Sequence, residues 1–168
     1  MADREAEQVI ALIEEAFAGV PRGMIGIHEA DVIDDYGSIE QRREAAKLDT
    51  YRRWQDIPDE WIARHDSALC FFDPPSWKGH IPACMRWALR YLRDPNLPGL
   101  GTDSVIYSLS PDLKQRDLRE HSFERYAQLN EAQRFVCARF LDYLSRQDDW
   151  ADVTTAVRAL DDYWRQYL

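Results

Sequence analysis

No stretch of this 168-residue chain approaches the roughly 18 uncharged apolar residues that a helix needs to span a bilayer. Cysteine is scarce: Cys70, Cys84 and Cys137 lie far apart, beside apolar residues and never as CxxC, which argues against a disulfide framework and for a reducing cytoplasm. Phosphate cradles are missing. There is no GxGxxG or GxxxxGK[ST], and the two glycines of Leu97-Pro98-Gly99-Leu100-Gly101-Thr102 come with neither a preceding strand nor a lysine. HExxH and GxSxG are missing as well. Positive charge is short, with 21 Lys and Arg against 30 Asp and Glu and a net charge of −9. Such a chain is repelled by phosphate backbones and anionic lipid, which disfavours nucleic acid and membrane partners. No period of 20–50 residues is visible, which excludes a solenoid.

What is present suits one globular domain over residues 1–168. The chain is 45% hydrophobic, 12% aromatic and 30% charged. A chain of this length buries roughly 70% of its unfolded surface and needs no metal or disulfide to fold. The N-terminus, Met1-Ala2-Asp3-Arg4-Glu5, is charged and runs into a helical pattern, unlike a secretory signal. The charge is uneven. Residues 1–84 carry 9 basic and 17 acidic side chains, net −8, and residues 85–168 carry 12 and 13, net −1. The densest acid cluster is Glu29, Asp31, Asp34 and Asp35. It suits a basic partner or simple solubility.

Apolar spacing predicts helices throughout. Val9, Leu12, Ile13, Ala16, Phe17 and Val20 form one stripe over residues 3–20, ended by Gly19, Pro21 and Gly23. Residues 21–37 read as a loop with one helical turn at Glu29–Asp34. Ser38-Ile39-Glu40-Gln41 matches a capping box that opens a surface helix running to Trp54. Pro58 starts a short helix to His65. Ala68–Phe72 is the one candidate strand, stopped by Pro74-Pro75. Residues 81–93 are the most apolar helix, with Arg86, Arg90 and Arg93 sharing one stripe suited to neutralising acids of the N-terminal half. Residues 94–103 read as a loop, and Val105–Leu109 is ambiguous between helix and strand. Helices follow at 115–127, at 131–146 under an Asn130 cap with Gln133, and from Asp149 to Leu168. The sum is an all-α fold: a single irregular bundle of five to six helices with long ordered loops.

Residues with catalytic chemistry do not assemble from the sequence, so catalytic, metal and cofactor sites are all read as none. His80 and Cys84 share a helical spacing, but two ligands are too few for zinc. The acid cluster lacks the glycine and terminal glutamate of a calcium loop. Bulky apolar neighbours raise a thiol's pKa and quench it as a nucleophile. The segment from Phe71 to Pro82 reads as a rigid loop. There Asp73, Trp77 and His80 could line a pocket, or Trp77 could fold back to close the core. Trp54 and Trp61, beside polar helices, are the tryptophans expected to be partly exposed.

The central pattern includes Trp54 before Pro58-Asp59, then His80-Ile81-Pro82-Ala83-Cys84-Met85-Arg86-Trp87, Val105-Ile106-Tyr107-Ser108-Leu109-Ser110-Pro111, and Gln133-Arg134-Phe135-Val136-Cys137-Ala138-Arg139-Phe140-Leu141. Over roughly residues 50–146 it resembles a bacterial domain family of unknown function. That resemblance implies a bacterial, cytoplasmic, helical domain, and no residue roles come with it. The expectation is therefore a non-enzymatic acidic protein, a monomer or weak dimer. It would bind a basic protein through Glu29, Asp31, Asp34 and Asp35, as immunity proteins and antitoxins do. The alternative is a small enzyme or ligand-binding protein with its pocket at Asp73, Trp77 and His80.

Overall fold

The computed structural model describes residues 3–94, 96 and 100–168. Among them the chain forms nine α-helices, three short 3-10 helices and no strand pair. The all-α expectation holds, and the count of five to six helices is corrected upward, because several segments read as loops or turns are short helices. None of the described helices is long and apolar enough to cross a membrane.

Helix α1 (Arg4–Ala16) starts at Asp3, whose carboxylate accepts from the N–H groups of Glu5 and Ala6. Its stripe of Ala6, Val9, Ile10 and Ile13 is buried against the two long helices α5 (Pro74–Tyr91) and α8 (Glu131–Leu144). Helix α5 is the hub. Pro74 and Pro75 occupy its first turn, where a missing N–H costs nothing, so they open a helix instead of stopping a strand. The segment 71–82 is thus largely helix, not a rigid loop. Every residue from Ser76 to Leu89 except Lys78 is buried, as befits a helix apolar on most of its circumference. Ala68–Phe72, expected as a strand, is not one: residues 66–70 coil into a 3-10 helix that ends at Phe71. They are too few to bury an edge, and no partner strand is there to take their N–H groups.

Helix α6 (Leu100–Ser108) resolves Val105–Ser108 as helix, with Leu109 in the turn after it, and takes the end of the expected 94–103 loop, whose residues 95 and 97–99 lie outside the described ones. Helix α7 (Arg116–Ala127) matches its pattern, and α8 has the expected capping box between Asn130 and Gln133. Helix α9 (Val153–Asp162) begins at Asp152, not Asp149, because the Asp152 carboxylate accepts the Thr155 N–H at 3.0 Å. Its buried face is Thr155, Ala156, Ala159 and Leu160, and Val157 is exposed. Small residues let α9 approach α8 closely. A 3-10 turn at residues 164–167 seals Trp164 into the core, its indole N–H donating to the Leu109 carbonyl.

The arginine stripe does what its spacing suggested. Arg86 lies 3.6 Å from Glu14, Arg90 3.7 Å from Asp59 and Arg93 3.6 Å from Asp3, all acids of the N-terminal half. Trp54 is fully buried, against expectation. The chain has left the helix eight residues earlier, and the indole N–H donates to the Phe17 carbonyl at 2.9 Å beneath the Arg86 guanidinium. Trp61 is half-buried.

Candidate functional site

Two short helices between α1 and α4 (Asp59–Arg64) stand apart from the apolar core. Helix α2 (Ile27–Asp34) buries only Ile27 and Ala30. Helix α3 (Ile39–Ala46) buries none of its residues. Eight-residue helices are marginal in water, so both need support at their ends.

The start of α2 has no cap of its own, since Gly26 carries no side chain. Its first three N–H groups are satisfied from elsewhere. Ile27 donates to the Tyr51 hydroxyl at 2.9 Å, and His28 and Glu29 donate to the Asp49 carboxylate at 3.0 and 3.2 Å. A Cβ on residue 26 would collide with that carboxylate. The Asp49 side chain is fully buried, and His28 Nδ1 meets it at 2.8 Å. This is why the helix expected to reach Trp54 ends at Ala46: the chain must turn back so that Asp49 and Tyr51 can close the base of the α2–α3 pair. A negative group there also complements the positive end of the helix dipole. Arg22 donates to the Asp49 carbonyl and lies over the Tyr51 ring.

Behind this cap, Tyr51 donates to His80 Nε2 at 2.6 Å, and His80 Nδ1 donates to the Ser76 carbonyl at 2.7 Å. The Ser76 hydroxyl in turn accepts from Ile25 N–H. Burial holds the His80 imidazole at a pKa of about 4, so it stays neutral. His28 packs edge-on against Trp61 and His65, and His65 Nδ1 faces Asp31 at 3.3 Å. Three of the four histidines thus brace this corner. Among the described residues, no group of three or more His, Cys, Asp or Glu side chains is placed to hold a metal ion. Burial pushes the Cys84 thiol up to about 12 and the Cys137 thiol higher still.

The far end of the pair closes differently. Gly37 N–H bonds the Val32 carbonyl at 2.8 Å and Tyr36 N–H bonds the Ile33 carbonyl at 3.1 Å, the double closure that usually places glycine in the left-handed conformation. Here Tyr36 takes that conformation, with φ 55 and 97% of the residue exposed. Gly37 is needed for contact, because a Cβ there would meet the Val32 side chain. Ser38 and Gln41 then form the expected capping box at the start of α3.

The four acids of the expected partner surface do not act as one. Glu29 is paired with Arg42 at 3.0 Å, Asp31 faces His65, and Asp34 accepts from the Ser67 hydroxyl at 3.1 Å. Asp35 is exposed at the tip. It joins Glu40 and Glu44 in lining an open groove of about 480 Å³ between α2 and α3, together with Val32, Gly37 and Gln41. Asp73, Trp77 and His80 serve three separate contacts. Asp73 caps α5, Trp77 is buried and donates to the Ser108 hydroxyl at 2.6 Å, and His80 faces Tyr51.

The family model for DUF6714 matches residues 5–168. The chain belongs to this family of unknown function. The match to DUF6714 takes in α1 through α9, a longer span than the central pattern alone. No curated protein and no solved structure matches the chain. DUF6714 therefore brings no residue roles, and the chemistry of this chain rests on its own side chains. Sequence reading passed over Asp49, Tyr51 and Tyr36. The only local signal was Tyr36-Gly37 directly before a capping box, which marks a tight junction between two helices.

Proposed function

We propose that this protein is a non-enzymatic acidic interaction protein that binds a basic protein partner through the α2–α3 pair, in the manner of an immunity protein or antitoxin. The observation that carries the reading is the groove lined by Asp35, Glu40 and Glu44, in which, among the described residues, only Glu44 meets a cation, Lys47 at 2.5 Å on the exposed surface. Several other acids of the N-terminal half are answered: Glu14, Asp59 and Asp3 by the α5 arginines, Glu29 by Arg42. Among the described residues Asp35 and Glu40 carry no ion pair, and Glu44 shares only the exposed Lys47; such carboxylates on a surface helix pair draw in a positive surface and speed its association.

The test is a random-peptide library displayed on phage and selected on the full chain at low ionic strength. Enriched peptides are expected to be rich in Lys and Arg. Their affinity should fall about tenfold for the triple variant Asp35→Asn, Glu40→Gln, Glu44→Gln, at roughly 0.5 kcal/mol per exposed charge. Neutral or acidic peptides, or affinity indifferent to the three changes, would overturn the reading.

A further inference from the structure

Resting on that reading, we propose that Tyr36 is the anchor of the interface: its ring enters an apolar pocket of the basic partner, while Lys or Arg side chains around that pocket meet Asp35, Glu40 and Glu44. Tyr36 is the one non-glycine residue with positive φ among the described residues. It holds a conformation that its Cβ makes unfavourable, at the helix-end position where glycine is usual. Backbone hydrogen bonds close the turn, but the ring gains no packing in return, since the residue is 97% exposed.

Tyr36 is not the only exposed apolar residue at this junction. Ile39, the first residue of α3, is 63% exposed, and Val32 lines the neighbouring groove. The α2–α3 junction thus exposes an aromatic ring and an aliphatic side chain three residues apart, next to the carboxylates of Asp35 and Glu40. A dry centre with a charged rim is the layout of a protein contact, and Tyr is among the residues that dominate such contacts. The charge of the rim selects the occupant, because a second copy of this acidic surface would be repelled and a basic one drawn in. The pair is also held in place before binding. Asp49 and Tyr51 clamp the base, and the Ser38–Gln41 capping box fixes the start of α3. Little ordering is left to be lost on association.

The experiment uses the basic peptides selected on the full chain, with Tyr36→Gly, Tyr36→Phe and the triple charge variant in parallel. Tyr36→Gly is expected to weaken binding about 30-fold, the effect of losing a hot-spot side chain, and Tyr36→Phe less than about threefold. The thermal midpoint of Tyr36→Gly should hold or rise by up to about 4 °C, because glycine accepts the left-handed backbone freely. Peptide affinity equal to wild type in Tyr36→Gly, with the charge variant still impaired, would overturn the anchor and leave the interaction reading standing. A fall in the midpoint would overturn it too, since the ring would then be packing on its own chain. Affinity that depends on Tyr36 but ignores the charge variant would instead defeat the basic-partner reading.

Discussion

The hydroxyl of Tyr51 donates to Nε2 of His80 at 2.6 Å while accepting the N–H of Ile27 at 2.9 Å, so one side chain joins the hub helix α5 to the start of α2. The arrangement fixes the imidazole tautomer. The Ser76 carbonyl can only accept, so Nδ1 carries the hydrogen and Nε2 is left as the acceptor for Tyr51. Phe72 stacks on the same ring at 4.2 Å and keeps it from water.

A neutral buried histidine makes stability depend on pH. The folded His80 has a pKa of about 4 against 6.5 when exposed, so between these values the unfolded chain binds the extra proton. Its contribution is complete above pH 6.5 and is lost as pH falls to 4, by roughly 3 kcal/mol. Chemical denaturation of wild type and His80→Gln across this range should show a flatter pH profile in the variant. Parallel profiles would contradict the assignment. Asp3 and Glu5, held below the usual carboxylate range by Tyr143 and Arg146, lose their contributions at lower pH and so separate from this window.

Removal of the borrowed cap should be costly. Asp49→Ala strands the N–H groups of His28 and Glu29 and the His28 ring, for a loss of about 3 kcal/mol. Asp49→Asn, which keeps an accepting oxygen, should lose less. Hydrogen exchange should show the amides of residues 27–29 losing protection first. An unchanged urea midpoint for Asp49→Ala would refute the capping role.

The tryptophans divide sharply. Trp54→Ala leaves a cavity under Arg86 and removes the indole bond to the Phe17 carbonyl, and should cost about 3–5 kcal/mol in urea denaturation. Trp150, 40% exposed, should cost no more than about 0.5 kcal/mol when changed to alanine. Similar losses for the two would mean that burial is not what sets their contribution.

Much of this organisation is local and therefore legible. The stripe of Val9 and Ile13, the capping boxes at Ser38 and Asn130, and the arginine row of α5 each depend on residues within about one or two helical turns, so spacing alone exposes them. Where the sequence misled, two local signals conflicted or a distant group intervened. Pro74-Pro75 fits both the end of a strand and the start of a helix, and only the helix gives residues 76–89 a core to fill. Trp54 lies among charged residues in sequence, yet the turn at residues 47–53 brings it under α5.

The candidate site follows the same division. Acid-rich composition in the first half, the surplus of carboxylates around residues 29–44 and the helical character of the chain were all determined by the sequence, because charge and periodicity are properties of the residues in order. Which carboxylates stay free was decided by the tertiary structure. Arg42, His65 and Ser67 reach Glu29, Asp31 and Asp34 only once α2, α3 and the 66–70 turn are packed. The same packing turns Asp49 and Tyr51 inward as a cap and leaves Tyr36 outward in a left-handed turn, since side-chain direction is set by the fold and not by neighbours in the chain.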